Sequence, residues 1–377
     1  MKSFQELNLH PTLAQAIQAM RFTIPTPIQA RAIPVALARR DLIGCAQTGT
    51  GKTVAFCIPL LTHLLKANDK TGLVLVPTRE LAQQVAGVLK SLSRFCPQVK
   101  SAVLIGGVAM QPQISALRQQ PKILIATPGR LLDHLNRGTV SLSRTDILVL
   151  DEADRMLDMG FAPQLRQLLR YLPKVRQTLL FSATWSSSMD RLSAQHLRDP
   201  IRITIGPISQ AASQIEQTMV ATTTKLKNDA LLDELIQTQG SVLVFARTQH
   251  RTDRVAKYLN SYGLEVNRIH GGRTQGQRTS ALKNFRDGKT RILIATDIAA
   301  RGIDITHISH VINYDLPQSP EDYIHRIGRT ARAGATGEAI SLVTPEENGQ
   351  WRLILRLLKQ SGSPAPQSRQ SIAQVDC

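Results

Sequence analysis

A short apolar segment occurs twice in this chain, at a fixed separation. Residues 122–127 read KILIAT and residues 291–296 read RILIAT, an offset of 169 positions. Two further pairs keep the same or nearly the same offset: residues 74–76 with 243–245, and Gly106-Gly107 with Gly271-Gly272. Apolar strands followed by polar turns at a constant offset predict two copies of one α/β unit.

The apolar segments of each half favour parallel strands. They are continuous runs, such as residues 73–76 and 147–150, with no alternation of apolar and polar positions. Continuous runs are typical of parallel strands whose two faces are both buried. Helical patterns lie between them, for example at residues 80–95 and 251–262. The predicted fold class is α/β, with a mainly parallel sheet covered by helices on both faces in each of two domains.

The chain of 377 residues is long enough for two buried cores. Residues 206–213 are small, polar and interrupted by proline, which is typical of a linker between domains. Residues 361–371 carry too few apolar side chains to form a core. We therefore expect an N-terminal domain at residues 1–205, a linker at 206–217, a C-terminal domain at 218–360 and a flexible tail at 361–377.

A glycine-rich turn follows residues 41–45, DLIGC, whose last four residues read as a strand. Residues 46–53 read AQTGTGKT and differ from the strict phosphate-loop pattern at Ala46, where that pattern has glycine. Such a turn aims backbone N–H groups at phosphate, while Lys52 adds a positive charge and the Thr53 hydroxyl can bind Mg²⁺. The residues predicted to contact nucleotide are Gln47, Thr48, Gly49, Thr50, Gly51, Lys52 and Thr53.

An acidic signal follows a second apolar run. Residues 151–154 read DEAD and come directly after residues 147–150. Asp151 is suited to hold the water shell of a metal ion, so that Thr53 and Asp151 are the predicted metal ligands, and Glu152 to orient or deprotonate an attacking water. Acidic runs are often only solvated surface, but an α/β sheet builds its nucleotide site directly after its strands. The two signals together predict nucleotide hydrolysis.

The chain is strongly basic. Lys and Arg number 46 against 28 Asp and Glu, a formal net charge of +18. Residues 1–205 carry 25 Lys and Arg against 12 acidic residues, and residues 206–377 carry 21 against 16. An excess of this size predicts a polyanionic partner, and most of it lies in the first half. Basicity that serves solubility alone is the alternative.

The cysteines and the hydropathy pattern bear on the compartment. Four cysteines, at positions 45, 57, 96 and 377, show neither Cys-x-x-Cys pairing nor histidines at metal-binding spacing, so no disulfide framework or zinc site is indicated. The first residues lack the apolar core of a signal peptide, and no run of about 18 apolar residues occurs. We expect a cytoplasmic protein with no membrane span.

The second half has no phosphate loop at its corresponding position. It carries HRIGRTAR at residues 325–332, with three arginines, Arg326, Arg329 and Arg332. If the halves face each other across a nucleotide, these guanidinium groups can reach its γ-phosphate as arginine fingers. A basic surface loop, or a contact to a nucleic-acid backbone, is the alternative.

In order and spacing, these motifs resemble those of the DEAD-box family of RNA helicases over residues 4–358. Residues 22–29, FTIPTPIQ, resemble the family's Q motif, in which an aromatic ring stacks on adenine and a glutamine reads its edge. The resemblance assigns those roles to Phe22 and Gln29, and gives Phe4 a supporting role in the same pocket.

The resemblance also implies roles in the second half. Arg329 and Arg332 match the finger positions, Asp304 in the turn 301–304 would meet the ribose, and His325 would bridge toward Asp154. Ser182-Ala183-Thr184 resembles the segment that couples hydrolysis to strand separation. The implied RNA contacts are Pro77, Thr78, Arg79, Gly106, Gly107, Thr127, Pro128, Gly129 and Arg130 in the first domain, and Arg247, Gln275, Arg278, Thr296 and Asp297 in the second.

The family therefore implies two tandem RecA-like domains that bind Mg-ATP and RNA. The expected activity is ATP-dependent, local and non-processive unwinding of RNA duplexes or remodelling of ribonucleoproteins, with low sequence specificity. We expect a monomer, and leave open whether ribosomal or RNA-degradation proteins are partners. The sequence of the second domain and the short tail are most similar to the RhlE-like group of bacterial members. Arg21 and Ala331 depart from the family, which usually has glycine at both positions.

Two other functions share parts of this pattern. A non-enzymatic RNA clamp would need a damaged hydrolytic site, whereas all the reactive side chains named above are present. A DNA translocase would share the core, but the Q motif and the DEAD sequence favour RNA by resemblance.

Overall fold

The computed structural model describes residues 1–46, 49–205, 215–300, 308–331, 336–360 and 362–371, except for the side chains of residues 298 and 300. The chain divides into two compact units, Met1–Ile205 and Gly206–Cys377. Within the described ranges, no helix is both long and apolar enough to cross a membrane.

The first unit is an α/β domain with a seven-stranded sheet. Its strands are β1 Leu42–Cys45, β2 Thr71–Leu75, β3 Ser101–Leu104, β4 Ile123–Ala126, β5 Thr145–Leu150, β6 Gln177–Ser182 and β7 Ile201–Thr204. Its helices are α1 Pro11–Ala19, α2 Pro27–Leu37, α3 Lys52–Lys66, α4 Arg79–Leu92, α5 Met110–Arg118, α6 Pro128–Asn136, α7 Ala153–Asp158, α8 Ala162–Arg170 and α9 Ser187–His196, preceded by a short 3-10 helix, Phe4–Glu6. The strands lie in the order β3-β4-β2-β5-β6-β1-β7, and each adjacent pair is parallel.

The second unit has the same architecture. Its strands are β8 Ile215–Ala221, β9 Val242–Phe245, β10 Val266–Ile269, β11 Ile292–Ala295, β12 His310–Asn313, β13 Gly337–Val343 and β14 Gln367–Gln370. Its described helices are α10 Lys227–Gln237, α11 Gln249–Ser261, α12 Gln275–Arg286, α13 Asp297–Ala300, α14 Pro320–Ile327 and α15 Asn348–Gln360, with a 3-10 helix at Pro345–Glu347. The parallel sheet runs β10-β11-β9-β12-β13-β8-β14, which is the first order with every strand number advanced by seven. The internal repeat is thus a repeat of the whole sheet.

Two of the expected boundaries are wrong. β8 begins at Ile215, inside the segment 206–217 expected to be a linker. Within the expected tail 361–377, Gln367–Gln370 forms β14 and pairs in parallel with β8. An edge strand is held by backbone hydrogen bonds along one side, so it does not need the apolar side chains whose absence suggested a tail.

Each sheet is buried on both faces, as the continuous apolar runs predicted. In β5, Ile147 and Val149 belong to one apolar core, and Leu148 and Leu150 to the core on the opposite face. Successive side chains of a strand point to opposite sides, so both faces need apolar residues. Because the strands are parallel, their carboxyl ends meet at one edge, where an α/β sheet places its site.

Candidate nucleotide and RNA-binding sites

The phosphate loop connects β1 to α3 in the first unit. Gly49 and Gly51 have φ angles of 88° and 92°, in the left-handed region that favours glycine, and Gly51 is the N-cap of α3. Lys52 is the first residue of the helix and Thr53, half-buried, the second. The loop therefore presents a helix N-terminus, which favours a bound anion. Gln47 and Thr48 lie outside the described residues.

Lys52 is a buried cation. Its side chain is 6% exposed, and its ammonium donates a hydrogen bond to the Ala46 carbonyl. Burial lowers the pKa of Lys52, and the carboxylates of Asp151 and Glu152 oppose that shift. For a buried ammonium group at a helix N-terminus, an anionic phosphate is a stronger hydrogen-bond partner than a neutral carbonyl such as that of Ala46.

The Q-motif glutamine is attached to the phosphate loop. Gln29 Nε2 donates to the Gly51 carbonyl at 3.1 Å, and Gln29 Oε1 accepts from the Thr26 N–H at 2.9 Å. A Cβ at Gly51 would collide with the Gln29 amide, so this approach requires glycine. One N–H and one lone pair of the amide remain for a base edge. Phe4 stacks on Phe22 with ring centroids 6.2 Å apart, in agreement with a supporting role for Phe4.

The acidic motif begins at the carboxyl end of β5. Asp151, Glu152 and Asp154 are 2%, 3% and 4% exposed. Burial raises the pKa of Asp151 to about 7; Lys52 opposes this shift, and Glu152 adds to it. Glu152 has a φ of 50° and accepts a hydrogen bond from Arg155 Nη1 at 3.2 Å. Sequence reasoning missed Arg155, although its spacing of three from Glu152 within a helical turn is a usable signal.

The buried charges around Asp151 are chemically compatible with a hydrated divalent cation. Three buried carboxylates, those of Asp151, Glu152 and Asp154, accompany two buried cations, Lys52 and Arg155. No cluster of three or more metal-binding side chains occurs in the described part of the chain. Mg²⁺ commonly binds through one or two protein oxygens and keeps waters and substrate oxygens, so the predicted ligands Asp151 and Thr53 would be enough to hold it.

Asp154 connects the acidic motif to the segment after β6. Its Oδ2 accepts hydrogen bonds from the Ala183 N–H at 3.1 Å, and from the Thr184 N–H and Oγ1, both at 2.8 Å. Ser182 Oγ in turn donates to the Thr184 carbonyl at 2.5 Å. The structure thus brings together the three predicted coupling residues, which are separated by about 30 positions.

Two predicted RNA-binding arginines meet at one loop of the first unit. The Arg79 guanidinium, at the start of α4, lies against Gly106 and Gly107, where a Cβ on Gly107 would collide with it. Arg130 Nη1, in α6, donates to the Val108 carbonyl at 2.9 Å. The remaining predicted residues of this group lie beside these two. Thr78 caps α4 by accepting from the Leu81 N–H, Pro77 precedes it, Thr127 is the N-cap of α6, and Pro128 and Gly129 begin that helix.

The second unit repeats this arrangement with a different side chain. Thr248 caps α11 as Thr78 caps α4, and Gln249 takes the place of Arg79. A Cβ on Gly271 or Gly272 would lie 2.9 Å or 2.7 Å from the Gln249 amide. The internal repeat could have identified Gln249 from the sequence. Of the predicted contacts, Gln275 begins α12, Arg278 is 7% exposed within it, Thr296 follows β11, and the Arg247 N–H donates to Asp315 Oδ2 at 2.9 Å.

Arg326 is a buried structural residue, so the expectation that all three arginines of residues 325–332 reach a phosphate is wrong for this one. It is 2% exposed and forms a bidentate pair with Asp297, Nε to Oδ1 at 2.6 Å and Nη2 to Oδ2 at 2.7 Å. Its Nη1 donates to Asn313 Oδ1 and to the Asp315 carbonyl. The Asp297 carboxylate, predicted to contact RNA, is therefore the partner of an internal cation.

The remaining second-unit residues are described in part. Arg329 is 2% exposed, and His325 Nδ1 lies 4.0 Å from Asp322 Oδ1 within α14. Asp304 and Arg332 lie outside the described residues.

The two departures from the family pattern share a backbone conformation. Arg21 has a φ of 56° and Ala331 a φ of 53°, both in the left-handed region. Glycine adopts this conformation without strain, and other residues at a cost of about 1 kcal/mol or more. Both positions therefore suit glycine for a physical reason.

Comparisons with known proteins fit this geometry. The family model described as DEAD/DEAH box helicase matches residues 26–192, and that described as helicase conserved C-terminal domain matches residues 226–334. The chain is 43% identical over 362 residues to the DEAD-box ATP-dependent RNA helicase CshA of Geobacillus kaustophilus, covering 96% of this chain and 77% of that protein. The chain belongs to the DEAD-box family of ATP-dependent RNA helicases.

Other members of the DEAD-box family are similar over nearly the whole chain. The ATP-dependent rRNA helicase rrp3 of Aspergillus terreus is 46% identical over 356 residues, 94% of this chain and 80% of that protein. The solved structure of Saccharomyces cerevisiae Dbp5 bound to RNA and ADP BeF3 has a TM-score of 0.86 at 32% identity, covering 100% of this chain and 97% of that one. That of Mss116p bound to ssRNA and AMP-PNP has a TM-score of 0.87 at 28% identity, covering 97% and 78%. These likenesses confirm the RecA-like fold. The expected RhlE-like grouping is not supported, since CshA proteins recur among the similar relatives.

Proposed function

We propose that this DEAD-box protein couples Mg-ATP binding and hydrolysis to RNA binding and to local, non-processive opening of RNA duplexes. The observation that carries the coupling is the set of three hydrogen bonds that Asp154 accepts from Ala183 and Thr184. Asp154 belongs to the hydrolytic motif, and Thr184 to the segment whose family role is strand separation. A displacement of Asp154 during hydrolysis would therefore move Thr184 through these hydrogen bonds.

Within the first unit, the chemistry is divided among five side chains. Lys52 would neutralise phosphate charge, Thr53 and Asp151 would hold Mg²⁺, and Gln29 would select adenine while holding the phosphate loop through Gly51. The metal ion, when bound, supplies charge neutralisation at the phosphates. Glu152 would orient the attacking water and accept its proton, with its carboxylate held in place by Arg155.

The second unit would supply the groups that complete the site. We assign Arg329 and Arg332 to the γ-phosphate, Asp304 to the ribose, and His325 to a contact toward Asp154, from their match to the family motifs. This assignment makes both ATP and RNA favour one closed arrangement of the domains, so that each should tighten the other.

RNA would be held mainly through its backbone. In the first unit, Arg79 and Arg130 meet at the loop 106–108, which provides two cations and a close approach to the main chain. Backbone contacts fix position and carry little sequence information, so low sequence specificity is expected. A cytoplasmic location fits the free, buried state of Cys45, Cys57 and Cys96. Any ribosomal or RNA-degradation proteins that act as partners would bind in addition to RNA.

The test compares nucleic acids of one sequence. Steady-state ATPase should be stimulated by single-stranded RNA and much less by single-stranded DNA, and a short RNA duplex should be unwound only with hydrolysable ATP. Lys52→Ala is the inactive control, and Lys66→Ala, at the opposite end of α3, is the matched lysine control. Equal stimulation by DNA would favour the translocase, and tight RNA binding by the wild type without ATPase activity would favour the clamp.

A further inference from the structure

The cations of the first unit are concentrated at the edge of the sheet opposite the sites described above. In the four residues that precede each of its seven strands, Lys and Arg number nine and acidic residues three. In the corresponding segments of the second unit the numbers are two and one. Much of the first unit's excess positive charge is therefore remote from the motifs at the carboxyl edge.

The cations have a regular position relative to the strands. Five of the seven strands have Lys or Arg directly before their first residue, and the other two have Arg within three positions. In sheet order from β3 to β7 these residues are Lys100, Lys122, Lys70, Arg144, Arg176, Arg40 and Arg198.

One member of this set is accounted for by helix capping. Lys122 Nζ donates to the carbonyls of Leu64 and Ala67, at the end of α3, at 3.0 Å and 3.3 Å. Its counterpart in the repeat, Arg291, donates to Leu235 and Thr238 at the end of α10. Cations at helix C-termini stabilise them. The second unit forms the same architecture with only two cations in these segments, Lys289 and Arg291. Helix capping at this edge therefore does not require the other six cations of the first unit.

We define the amino-edge row as these six residues, Lys100, Lys70, Arg144, Arg176, Arg40 and Arg198. Its local carboxylates compensate it only partly. Asp199 pairs with Arg40 at 2.6 Å, with side chains 92% and 48% exposed, and Asp69 lies 3.7 Å from Lys70. Asp41 is buried and accepts backbone N–H groups of Thr178 and Arg198. Because the segments before the seven strands carry nine cations and only three carboxylates, this edge keeps a net positive charge that is available to a ligand.

The spacing of the row suits a linear polyanion. Neighbouring strands lie about 4.8 Å apart, so seven strands spread the row over about 29 Å. A loop between α8 and β6 adds apolar surface, because Tyr171 is 46% exposed and Val175 74% exposed. Arg198 donates to the Lys174 carbonyl and thus lies against this loop. Surfaces that carry both cations and exposed aromatic side chains are typical of proteins that bind single-stranded nucleic acid.

We propose that the amino-edge row is a second RNA-backbone surface, occupied by nucleotides that flank those bound at the carboxyl edge. The proposal rests on the proposed function in so far as RNA is the ligand. Flanking nucleotides of a bound RNA reach the row at high effective concentration, so even weak contacts there add to affinity. Its consequence is a dependence on RNA length, because a short RNA cannot occupy both edges.

The experiment uses the full chain and two unstructured RNAs, one of about 10 and one of about 60 residues. Binding is measured without ATP, over a series of salt concentrations. The row variant is Lys70→Gln/Lys100→Gln/Arg144→Gln. The control is Arg352→Gln/Arg356→Gln/Lys359→Gln, three exposed cations on α15 of the second unit, with the same change in net charge. Affinity is measured by fluorescence anisotropy, and ATPase with saturating short RNA reports that each variant is folded.

The row variant should keep wild-type affinity for the short RNA and wild-type ATPase. Its affinity for the long RNA should fall on the order of tenfold, with a slope of log affinity against log salt that is less steep by about 2, as expected for three lost phosphate contacts. The control should change neither. Unchanged binding of the long RNA by the row variant overturns the proposal, and is the result expected if the row binds an acidic protein. An equal loss of affinity in the control variant also overturns it. Absent RNA-stimulated ATPase in the wild type would instead refute the proposed function.

Discussion

The carboxylate of Asp154 accepts two hydrogen bonds from Thr184, one from its backbone N–H and one from its hydroxyl, both at 2.8 Å. Asp154 lies three residues after Asp151, and Thr184 lies two residues after the end of β6. Because β5 and β6 are neighbours in the sheet, the two motifs meet at their carboxyl ends. This pair connects the acidic motif directly to the segment proposed for strand separation.

Thr184→Val should separate the two activities. The variant keeps the shape of the side chain and both backbone N–H bonds to Asp154, but loses the hydroxyl bond to a charged group, worth about 1.5–3 kcal/mol. We expect unwinding of a short RNA duplex to slow by about tenfold or more, with a smaller effect on RNA-stimulated ATPase. Thr224→Val, at an exposed position, is the control. A loss of both activities in equal proportion would contradict the coupling role.

Glu152→Gln should bind Mg-ATP and fail to hydrolyse it. The amide oxygen can still accept the bond from Arg155 Nη1, so the pocket keeps its shape, but the base is lost. Turnover should fall by about 10² or more, while nucleotide affinity stays close to wild type and RNA dissociates more slowly with ATP. Glu265→Gln, an exposed carboxylate, should change nothing. An RNA off-rate in ATP as fast as that of the wild type, with hydrolysis abolished, counts against coupled binding.

Gln29→Ala should affect both nucleotide choice and nucleotide affinity. The family role of Gln29 is to read adenine, and the structure adds its hydrogen bond to the Gly51 carbonyl. We expect relative use of GTP to rise, because a site that no longer hydrogen-bonds adenine discriminates less, and KM for ATP to rise with loss of the loop contact. Gln18→Ala, exposed on α1, is the control. An unchanged preference for ATP together with a raised KM would leave Gln29 only the loop contact.

Asp151→Asn should stabilise the nucleotide-free protein increasingly as pH rises. Burial raises the pKa of Asp151 to about 7 from an ordinary value of 3.8. Between these values the folded protein keeps a proton that the unfolded chain has released, so stability falls as pH rises through this range. The amide removes that cost. The advantage of the variant in unfolding free energy should grow by more than about 1 kcal/mol between about pH 5 and 8, measured by urea unfolding in EDTA. Asp133→Asn, 57% exposed, should show no such trend, and a flat profile for Asp151→Asn would argue against the buried, raised pKa.

The sequence predicted the features that depend on local pattern. The phosphate loop and the acidic motif were found because each directly follows an apolar strand, and parallel strands place such turns at one edge. The contact between Asp154 and Thr184 could not be derived in this way, since it depends on β5 and β6 being neighbours. Composition failed at β14, whose four polar residues are held through backbone hydrogen bonds to β8. The internal repeat could have predicted that strand, because β7 occupies the same place in the first unit.

Two other features required backbone or side-chain geometry. The sequence marks Arg21 and Ala331 as departures from the family, but only their positive φ angles explain why glycine suits both positions. Arg326 stands in the same run of sequence as Arg329 and Arg332, and nothing in the spacing distinguishes a buried ion pair from a finger. Its bidentate partner, Asp297, is 29 positions away, on the far side of β12 in the chain.

Arg326 and Arg332 should therefore give opposite phenotypes. Arg326→Ala removes a buried guanidinium and leaves the half-buried Asp297 carboxylate, 23% exposed, without its cation, so the free energy of unfolding should fall by about 2–3 kcal/mol and the melting temperature by several degrees. Arg332→Ala should keep the wild-type melting temperature and lose turnover by about 10³, the usual effect of removing an arginine finger. Both variants are compared with the wild type by thermal unfolding and by steady-state ATPase at saturating RNA. The ATPase is measured below the lowest of the melting temperatures.

A double variant makes this comparison sharper. If Arg326 acts through Asp297, Arg326→Ala/Asp297→Ala should lose less stability than the sum of the two single variants, because the second substitution removes the unpaired charge left by the first. Additive losses would mean that the pair contributes nothing beyond its separate contacts. Near-normal turnover in Arg332→Ala would falsify the finger assignment, and Arg332 would then be a surface residue or a backbone contact to RNA. A wild-type melting temperature in Arg326→Ala would show that its buried pair with Asp297 does not stabilise the second unit.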